Sequence, residues 1–278
     1  MKGALSCFAV LLMLMVAISA QALEFFVPYD NFSSRFLDER KWTAQEASYP
    51  GVVLLENGRE IEWGRFHMVN RVHGNTGSNS GLCWGANRLN FKNGDEVTAI
   101  KASVTVMGVE AKGCSTNAYP TTARARLNGI YFNTGQYGGG NLNDVVAYIA
   151  IQRASDSTDK PNLLRIVGRV VKCTDSGCLN ADTINQVDLG TVKLLRKVDL
   201  SIQWDKDNQG FIFQVDNNLP VFAYYGDQVP EEHPPFYGNW KLLDLNHRLP
   251  NCTAWGPPPV AFMDVYFDNV FVNESAAP

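Results

Sequence analysis

Segments in which every second residue is apolar recur along this chain and indicate a β fold. In residues 198–204 every second side chain is apolar: Val198, Leu200, Ile202 and Trp204. The same period of two recurs at 100–106, 145–151, 164–170 and 261–272. Successive side chains of a β-strand point to opposite faces, so this period predicts strands with one buried face. Many short strands with frequent turns predict an all-β sandwich or barrel.

Turn residues between these segments predict how neighbouring strands connect. Polar turns separate 198–204, 211–215 and 221–225, which predicts a three-stranded meander. Asn57-Gly58 lies between the apolar residues 52–55 and the segment 61–63. Because Asn-Gly suits the two-residue turn of a β-hairpin, we expect a hairpin turn there.

The first residues have the form of a signal peptide. Lys2 provides a positive start, residues 8–18 are an apolar run, and Ala20 and Ala22 form a small-residue cleavage site. The apolar run is shorter than the roughly 20 residues that span a bilayer, so it does not predict a membrane anchor. We therefore expect residues 1–22 to be removed, and residues 23–278 to form a single β-sandwich domain that is secreted or periplasmic and not membrane-spanning.

The charge balance excludes some partners. The chain has 24 basic and 28 acidic residues, a net charge of −4. Without a block of lysine or arginine, this balance argues against nucleic acid and anionic membrane surfaces as partners.

Five cysteines follow the predicted cleavage site, which suits an exported protein. Cys173 and Cys178 enclose a Ser-Gly turn and predict a local disulfide. Cys83 with Cys114 is a plausible second pair, which leaves Cys252 free or paired between chains. Zinc is the competing interpretation, but the sequence has neither a Cys-x-x-Cys motif nor paired histidines at metal spacing.

Three segments resemble secreted concanavalin A-like domains of the laminin G and glucanase type. Residues 30–32 followed by 37–42 are similar to their opening strand, and residues 197–216 to their central hairpin. Residues 262–270, Phe-Met-Asp-Val-Tyr-Phe-Asp-Asn-Val, are similar to their closing strand, which pairs with the first. The resemblance covers nearly all of 23–278 and implies a two-sheet antiparallel jelly-roll sandwich.

The resemblance also implies where ligands bind. One sheet of such a sandwich is concave, and its face or rim loops hold the ligand. It further implies a structural calcium ion that links the terminal strands, with Asp30 and Asp268 as the expected ligands. The alternative is that both are solvated carboxylates in turns.

Glucanases of this superfamily carry a Glu-x-Asp-x-(x)-Glu strand, and this chain has no such string. Its nearest equivalent is Glu60-Ile61-Glu62. Residues i and i+2 of a strand lie on one face about 6.5 Å apart, a spacing that could serve a two-carboxylate hydrolase. The alternative is an exposed strand face.

Residues 131–137, with Tyr131 and Tyr137, are similar to the Tyr-Phe-x-x-Gly-x-Tyr string of jelly-roll alginate lyases. In that family a tyrosine transfers a proton beside a histidine and an arginine on the concave face. Here the string lies mid-chain and the family's Gln-Ile-His string is missing, so a strand that ends in a glycine turn is the alternative.

Aromatic and amide side chains near glycines and in loops make a carbohydrate surface the first expectation. Rings stack on sugar faces while neighbouring polar groups bind hydroxyls. The candidate ligand-binding residues are Trp84, Asn87, Arg88, Tyr137, Tyr237, Asn239, Trp240 and Trp255. The predicted function is a non-enzymatic secreted protein that binds a polysaccharide or cell-surface glycan. A glycan-active hydrolase or lyase and an adhesion protein with a protein partner are the alternatives.

Overall fold

The computed structural model describes residues 25–48, 52–74, 81–135, 139–229, 231–252 and 257–277, without the side chains of 44–48. The predicted signal peptide, residues 1–22, lies outside this range. Fifteen strands and two short 3-10 helices, Gly94–Glu96 and Glu274–Ala276, are defined there. None of the helices in the described ranges has the length and apolar character needed to cross a bilayer.

Eight strands form one antiparallel sheet. Its order is β13-β12-β11-β6-β15-β4-β3, and β1 pairs with β15. The strands are β1 (Phe26–Asp30), β3 (Val52–Glu62), β4 (Arg65–Gly74), β6 (Ala99–Lys112), β11 (Val198–Asp205), β12 (Gly210–Val215), β13 (Val221–Tyr224) and β15 (Val260–Asn273). The predicted meander is confirmed as β11-β12-β13, and the closing strand pairs with the first.

Seven strands form the second antiparallel sheet, in the order β10-β9-β8-β7-β14-β5-β2. They are β2 (Trp42–Ser48), β5 (Leu82–Phe91), β7 (Thr122–Asn133), β8 (Asp144–Ala154), β9 (Leu163–Cys173), β10 (Ala181–Lys193) and β14 (Lys241–Pro250). The strand β14 lies between β7 and β5, far from both in sequence, as a jelly roll requires.

The main core lies between the two sheets. Alternate side chains of each inner strand enter it, for example Ala123, Ala125 and Leu127 of β7. The residues between them in β7, Arg124, Arg126 and Asn128, therefore project from the outer face of the seven-stranded sheet. Strand alternation thus predicts which residues share a face, and the packing decides which face is the core.

The predicted hairpin turn at Asn57-Gly58 is wrong. β3 continues through both residues, and Gly58 pairs with Val69 of β4. The turn lies at Trp63-Gly64, where both residues have positive φ, 50° and 70°. Asn87 of β5 donates to the carbonyl oxygen of Gly58 at 3.0 Å, so contacts with the other sheet hold this part of β3 extended.

The structure confirms one predicted disulfide and corrects the other. Cys173 bonds to Cys178, but Cys114 bonds to Cys252 rather than to Cys83. Cys114 follows β6 and Cys252 follows β14, and their loops meet at one end of the sandwich. Cys83 is instead a buried thiol in the core, where its Sγ lies 3.4 Å from the carbonyl oxygen of Leu249.

Gly168 provides a test of this packing. A Cβ at Gly168 would lie 2.6 Å from the Phe213 ring of the opposite sheet and 2.8 Å from Val187. We expect Gly168→Ala to lower the free energy of unfolding by about 1–3 kcal/mol, because the inserted methyl group overpacks the core. Chemical denaturation measures the change.

Gly177→Ala is the matched control, since its new Cβ would meet nothing nearer than Leu179 at 3.5 Å. We expect the control to change the stability by less than about 0.5 kcal/mol. Equal stability of the two variants would contradict the close packing of β9 against β12.

Candidate functional site

A cavity of about 370 Å³ lies on the outer face of the seven-stranded sheet. We call it the groove. Its floor is made by alternate side chains of β5, β7, β8, β9 and β14, and the loop 174–180 borders it on one side.

Five arginines line the groove, contributed by four strands: Arg88, Arg124, Arg126, Arg169 and Arg248. Among the described residues that line the cavity, Asp182 is the single carboxylate, and it is exposed. The groove is therefore positively charged in a chain whose net charge is −4. A concave surface of one sign raises the local concentration of ligands of the opposite sign.

One of these charges is neutralised within the protein. Arg126 of β7 lies opposite Asp244 of β14 in the sheet register and donates two hydrogen bonds to its carboxylate, at 2.9 and 2.5 Å. Asp244 is fully buried, so the pair fixes the position of Arg126 and leaves the carboxylate no access to a ligand.

Several polar atoms beside the groove lack a partner within the described part of the protein. The buried Nε atoms of Arg169 and Arg248 and the Oδ1 atom of Asn128 have no hydrogen-bond partner within the described structure. A buried polar group without a partner is costly, and a guanidinium binds a carboxylate with particular strength. The five arginines that line the groove favour an anionic ligand.

Tyr148 of β8 lies in the middle of the arginines. Its hydroxyl oxygen is 3.4 Å from Nη1 of Arg124, and the Arg126 guanidinium stands 4.9 Å from its ring centre. Burial opposes ionisation of this hydroxyl, but the charges of Arg124, Arg169 and Arg126 and a hydrogen bond from Arg169 outweigh it and lower the pKa of Tyr148. A tyrosine that ionises more readily than usual is suited to accept a proton.

Three of the predicted ligand-binding residues lie in the groove. Trp84 and Trp240 line it together with Arg88. The guanidinium carbons of Arg124 and Arg248 lie 5.3 and 5.4 Å from the Trp84 ring. The rings thus border the charged floor, where they could stack on sugar faces.

The other predicted ligand-binding residues within the described ranges lie elsewhere. Asn87 is fully buried and faces the opposite sheet, with hydrogen bonds to the carbonyl oxygens of Gly58 and Val69. Tyr237 is exposed beside Phe236, and the backbone N–H of Asn239 donates to Asp95, so neither lines the groove. Tyr137 and Trp255 lie outside the described residues.

The candidate catalytic residues that the structure describes, Glu60, Glu62 and Tyr131, are not in the groove either. Tyr131 is buried in the core against Trp204 and Phe211, and burial raises its pKa, so it has no access to a substrate. Glu60 and Glu62 do share one face, as predicted, but they belong to β3 in the eight-stranded sheet.

Sequence reasoning missed Tyr148, Arg124, Arg126, Arg169 and Arg248. The signal was the Arg124-x-Arg126-x-Asn128 alternation in an otherwise apolar strand. Polar residues in every second position of such a strand indicate its outer face, and two arginines among them give that face a positive charge. The remaining members come from other strands and have no local signal.

Asp30 and Asp268, the predicted calcium ligands, both accept hydrogen bonds within the protein. Asp30 binds the N–H groups of Trp42 and Phe32, and Asp268 binds the backbone and side chain of Asn269. A calcium ion at these residues stays a prediction.

The architecture is similar to that of solved glucan-hydrolysing enzymes. One is the catalytic domain of an endo-1,3-β-glucanase (laminarinase) from Thermotoga petrophila, with 12% identity, a TM-score of 0.45 and coverage of 91% of this chain and 100% of that chain. Another is a glycoside hydrolase family 16 endo-glucanase from Bacteroides ovatus, with 13% identity, a TM-score of 0.42 and coverage of 87% and 97%. No protein-family model and no curated protein matches the sequence.

The two antiparallel sheets confirm the predicted β-sandwich, and the predicted function needs a correction. The preferred prediction was a non-enzymatic binding protein, whereas the similar solved structures are named as glycan-cleaving enzymes. The alternative prediction, a glycan-active enzyme, is a matter for proposal. The likeness concerns the fold, so the reaction has to be argued from the side chains of this chain.

Proposed function

We propose that this chain is a secreted enzyme that cleaves an acidic polysaccharide by β-elimination in the groove. The observation that carries the proposal is Tyr148, whose hydroxyl lies among Arg124, Arg126 and Arg169. Two disulfides support the secreted location, because such bonds form and persist in oxidising compartments.

The charge of the groove favours a polymer of uronic acids over a neutral glucan. A uronate carries its carboxylate on C5, next to the C4 oxygen that links it to the preceding sugar. The guanidinium groups of Arg169 and Arg248, which line the groove, could bind this carboxylate. Neutralising the carboxylate makes the neighbouring C5–H bond more acidic, which is the first requirement of β-elimination.

Tyr148 could then transfer the proton. In its ionised form it accepts the C5 proton, the electron pair of the C5–H bond forms a C4=C5 double bond, and the C4–O bond breaks. The leaving oxygen takes the electrons of that bond and receives the proton back from Tyr148. Atoms and charges balance, and Tyr148 returns to its starting form.

Hydrolysis fits the groove less well. A glycoside hydrolase of the usual kind needs two carboxyl groups on either side of the scissile bond. Asp244 is bound by Arg126 and has no exposed surface, and Asp182 is alone among the described residues that line the cavity. No histidine lines the cavity in that range, because His247 faces the core and bonds to the carbonyl oxygen of Asn70.

A substrate screen tests this function. The mature chain is incubated with alginate, polygalacturonate, hyaluronate and, as neutral polymers, laminarin and mixed-linkage glucan. We expect unsaturated products, seen by their ultraviolet absorbance, from at least one acidic polymer and from neither neutral one.

The other outcomes are equally informative. New reducing ends from laminarin without ultraviolet absorbance would show a hydrolase and overturn the proposed β-elimination. Binding of an acidic polymer without any product would overturn the enzymatic function.

A further inference from the structure

On the side of the sandwich opposite the groove, His67 stands among three carboxylates. Glu60 and Glu62 belong to β3, His67 to β4 and Asp264 to β15, which are neighbours in the eight-stranded sheet. The register places Glu60 directly opposite His67. His67 follows the core residue Phe66, so the four side chains share the outer face of this sheet.

The hydrogen bond of His67 to Asp264 determines what its other nitrogen presents. Nε2 lies 2.8 Å from Oδ1 of Asp264 and donates its hydrogen to that carboxylate. In the neutral ring Nδ1 then carries a lone pair, and it faces Oε1 of Glu60 and Oε2 of Glu62, each at 3.7 Å. Three hydrogen-bond acceptors therefore face one another: Nδ1 of His67, Oε1 of Glu60 and Oε2 of Glu62.

The spacing of these acceptors fits a bound cation better than a proton. Hydrogen bonds from an imidazolium to the two glutamates would bring N and O to about 2.7–3.2 Å, well short of the observed 3.7 Å. Ligand atoms at about 2.0–2.2 Å from a tetrahedral ion lie roughly 3.4 Å from one another. The three ligand atoms lie within 4.8 Å of one another. Rotation of the side chains therefore brings all three to bonding distance from a single ion.

The surroundings also resemble a metal site. A histidine that binds a metal commonly donates its other N–H to a carboxylate, which orients the ring and makes the ligand nitrogen more basic. Asp264 does this here, and the Tyr266 hydroxyl holds Glu62 with a hydrogen bond of 2.5 Å to Oε2. The Tyr266 ring stacks on the His67 ring, with centroids 4.6 Å apart.

We propose that Glu60, Glu62 and His67 bind a divalent transition-metal ion of the zinc class, with water as the fourth ligand. An imidazole nitrogen among the ligands favours such an ion over calcium, which prefers oxygen alone. The ion ties β3 to β4 beside the Trp63-Gly64 turn. The site shares no residue with the groove, so this inference stands independently of the proposed function.

Calorimetric titration of the folded, disulfide-bonded chain with zinc chloride after chelator treatment tests the site. We expect saturable binding of one ion per chain. His67→Gln and Glu62→Gln should each lower the affinity by about 100-fold or more, and Asp264→Asn by about 10–100-fold, because Asp264 only orients the ring.

Glu56→Gln is the matched control. Glu56 lies on the same strand, but its carboxylate faces Arg71 at 3.5 Å. We expect zinc affinity to be unchanged in this variant. Thermal unfolding of each variant without metal separates loss of the site from loss of the fold.

Four results would overturn the proposal. The first is no saturable zinc binding by the wild-type chain, and the second is unchanged affinity in His67→Gln. The third is an NMR titration in which the His67 ring protonates identically with and without zinc. A calcium titration that saturates where zinc does not would also assign the site to another class of ion.

Discussion

Tyr148→Phe is expected to lower kcat on the acidic polymer by about 10²–10⁴-fold, the usual contribution of a positioned general acid or base. The Kd for the polymer should change little, because the arginines and the two tryptophans of the groove remain. Stopped-assay rates and a direct binding measurement on the same protein separate the two effects.

Tyr237→Phe is the matched control, since Tyr237 is 66% exposed and outside the groove. It should keep full activity. If Tyr148→Phe retained kcat, another group would have to take the C5 proton and the proposed mechanism would be wrong.

The pH profile gives a second readout of the same residue. Only ionised Tyr148 can accept a proton, so kcat/KM should rise with pH through the pKa of Tyr148. Because the arginines lower this pKa, the rise should come below the pH near 10 at which an ordinary tyrosine ionises. Arg169→Gln removes one cation and a hydrogen bond, and should move the rise to higher pH.

Removing the Cys114–Cys252 disulfide is expected to have the largest effect on stability. Its cysteines are 138 residues apart, whereas those of Cys173–Cys178 are 5 apart. The chain-entropy relation gives about 5 kcal/mol for the long loop and about 2 kcal/mol for the short one. Denaturant unfolding of the double serine variants of each pair measures the difference directly.

The short-loop pair is the control for the loss of any disulfide. A long-loop variant as stable as the short-loop variant would contradict the entropic argument. A change in the denaturant slope between the variants would indicate that the unfolded state had expanded, which is the physical origin of the expected effect.

The failures of sequence reasoning at the site have local causes. Tyr131 and Tyr148 are both strand tyrosines with apolar neighbours, and nothing in those neighbours tells them apart. The pairing of β7 with β8 shifts between Ile130 and Phe132, and both Tyr131 and Phe132 enter the core. Tyr148 instead lies on the outer face. A β-bulge of this kind cannot be recognised from the order of apolar and polar residues in the sequence.

The two disulfides also differ in whether the sequence alone predicts them. Cys173–Cys178 was predictable because a short loop forces its two cysteines together. The partner of Cys114 depended on which loops meet at one end of the sandwich, and that follows from the pairing of β15 with β6.

The sequence by itself predicted the meander, several further strands and the sandwich, because a period of two is a local property of the residues along one strand. It did not predict β4, β5, β10 or β14. Only the tertiary structure decided which residues come together in the groove and in the His67 site. The groove collects side chains from β5, β7, β8, β9 and β14, and the His67 site collects them from β3, β4 and β15. Strand order and register are set by contacts between residues distant in the chain, which a pattern along one strand does not record.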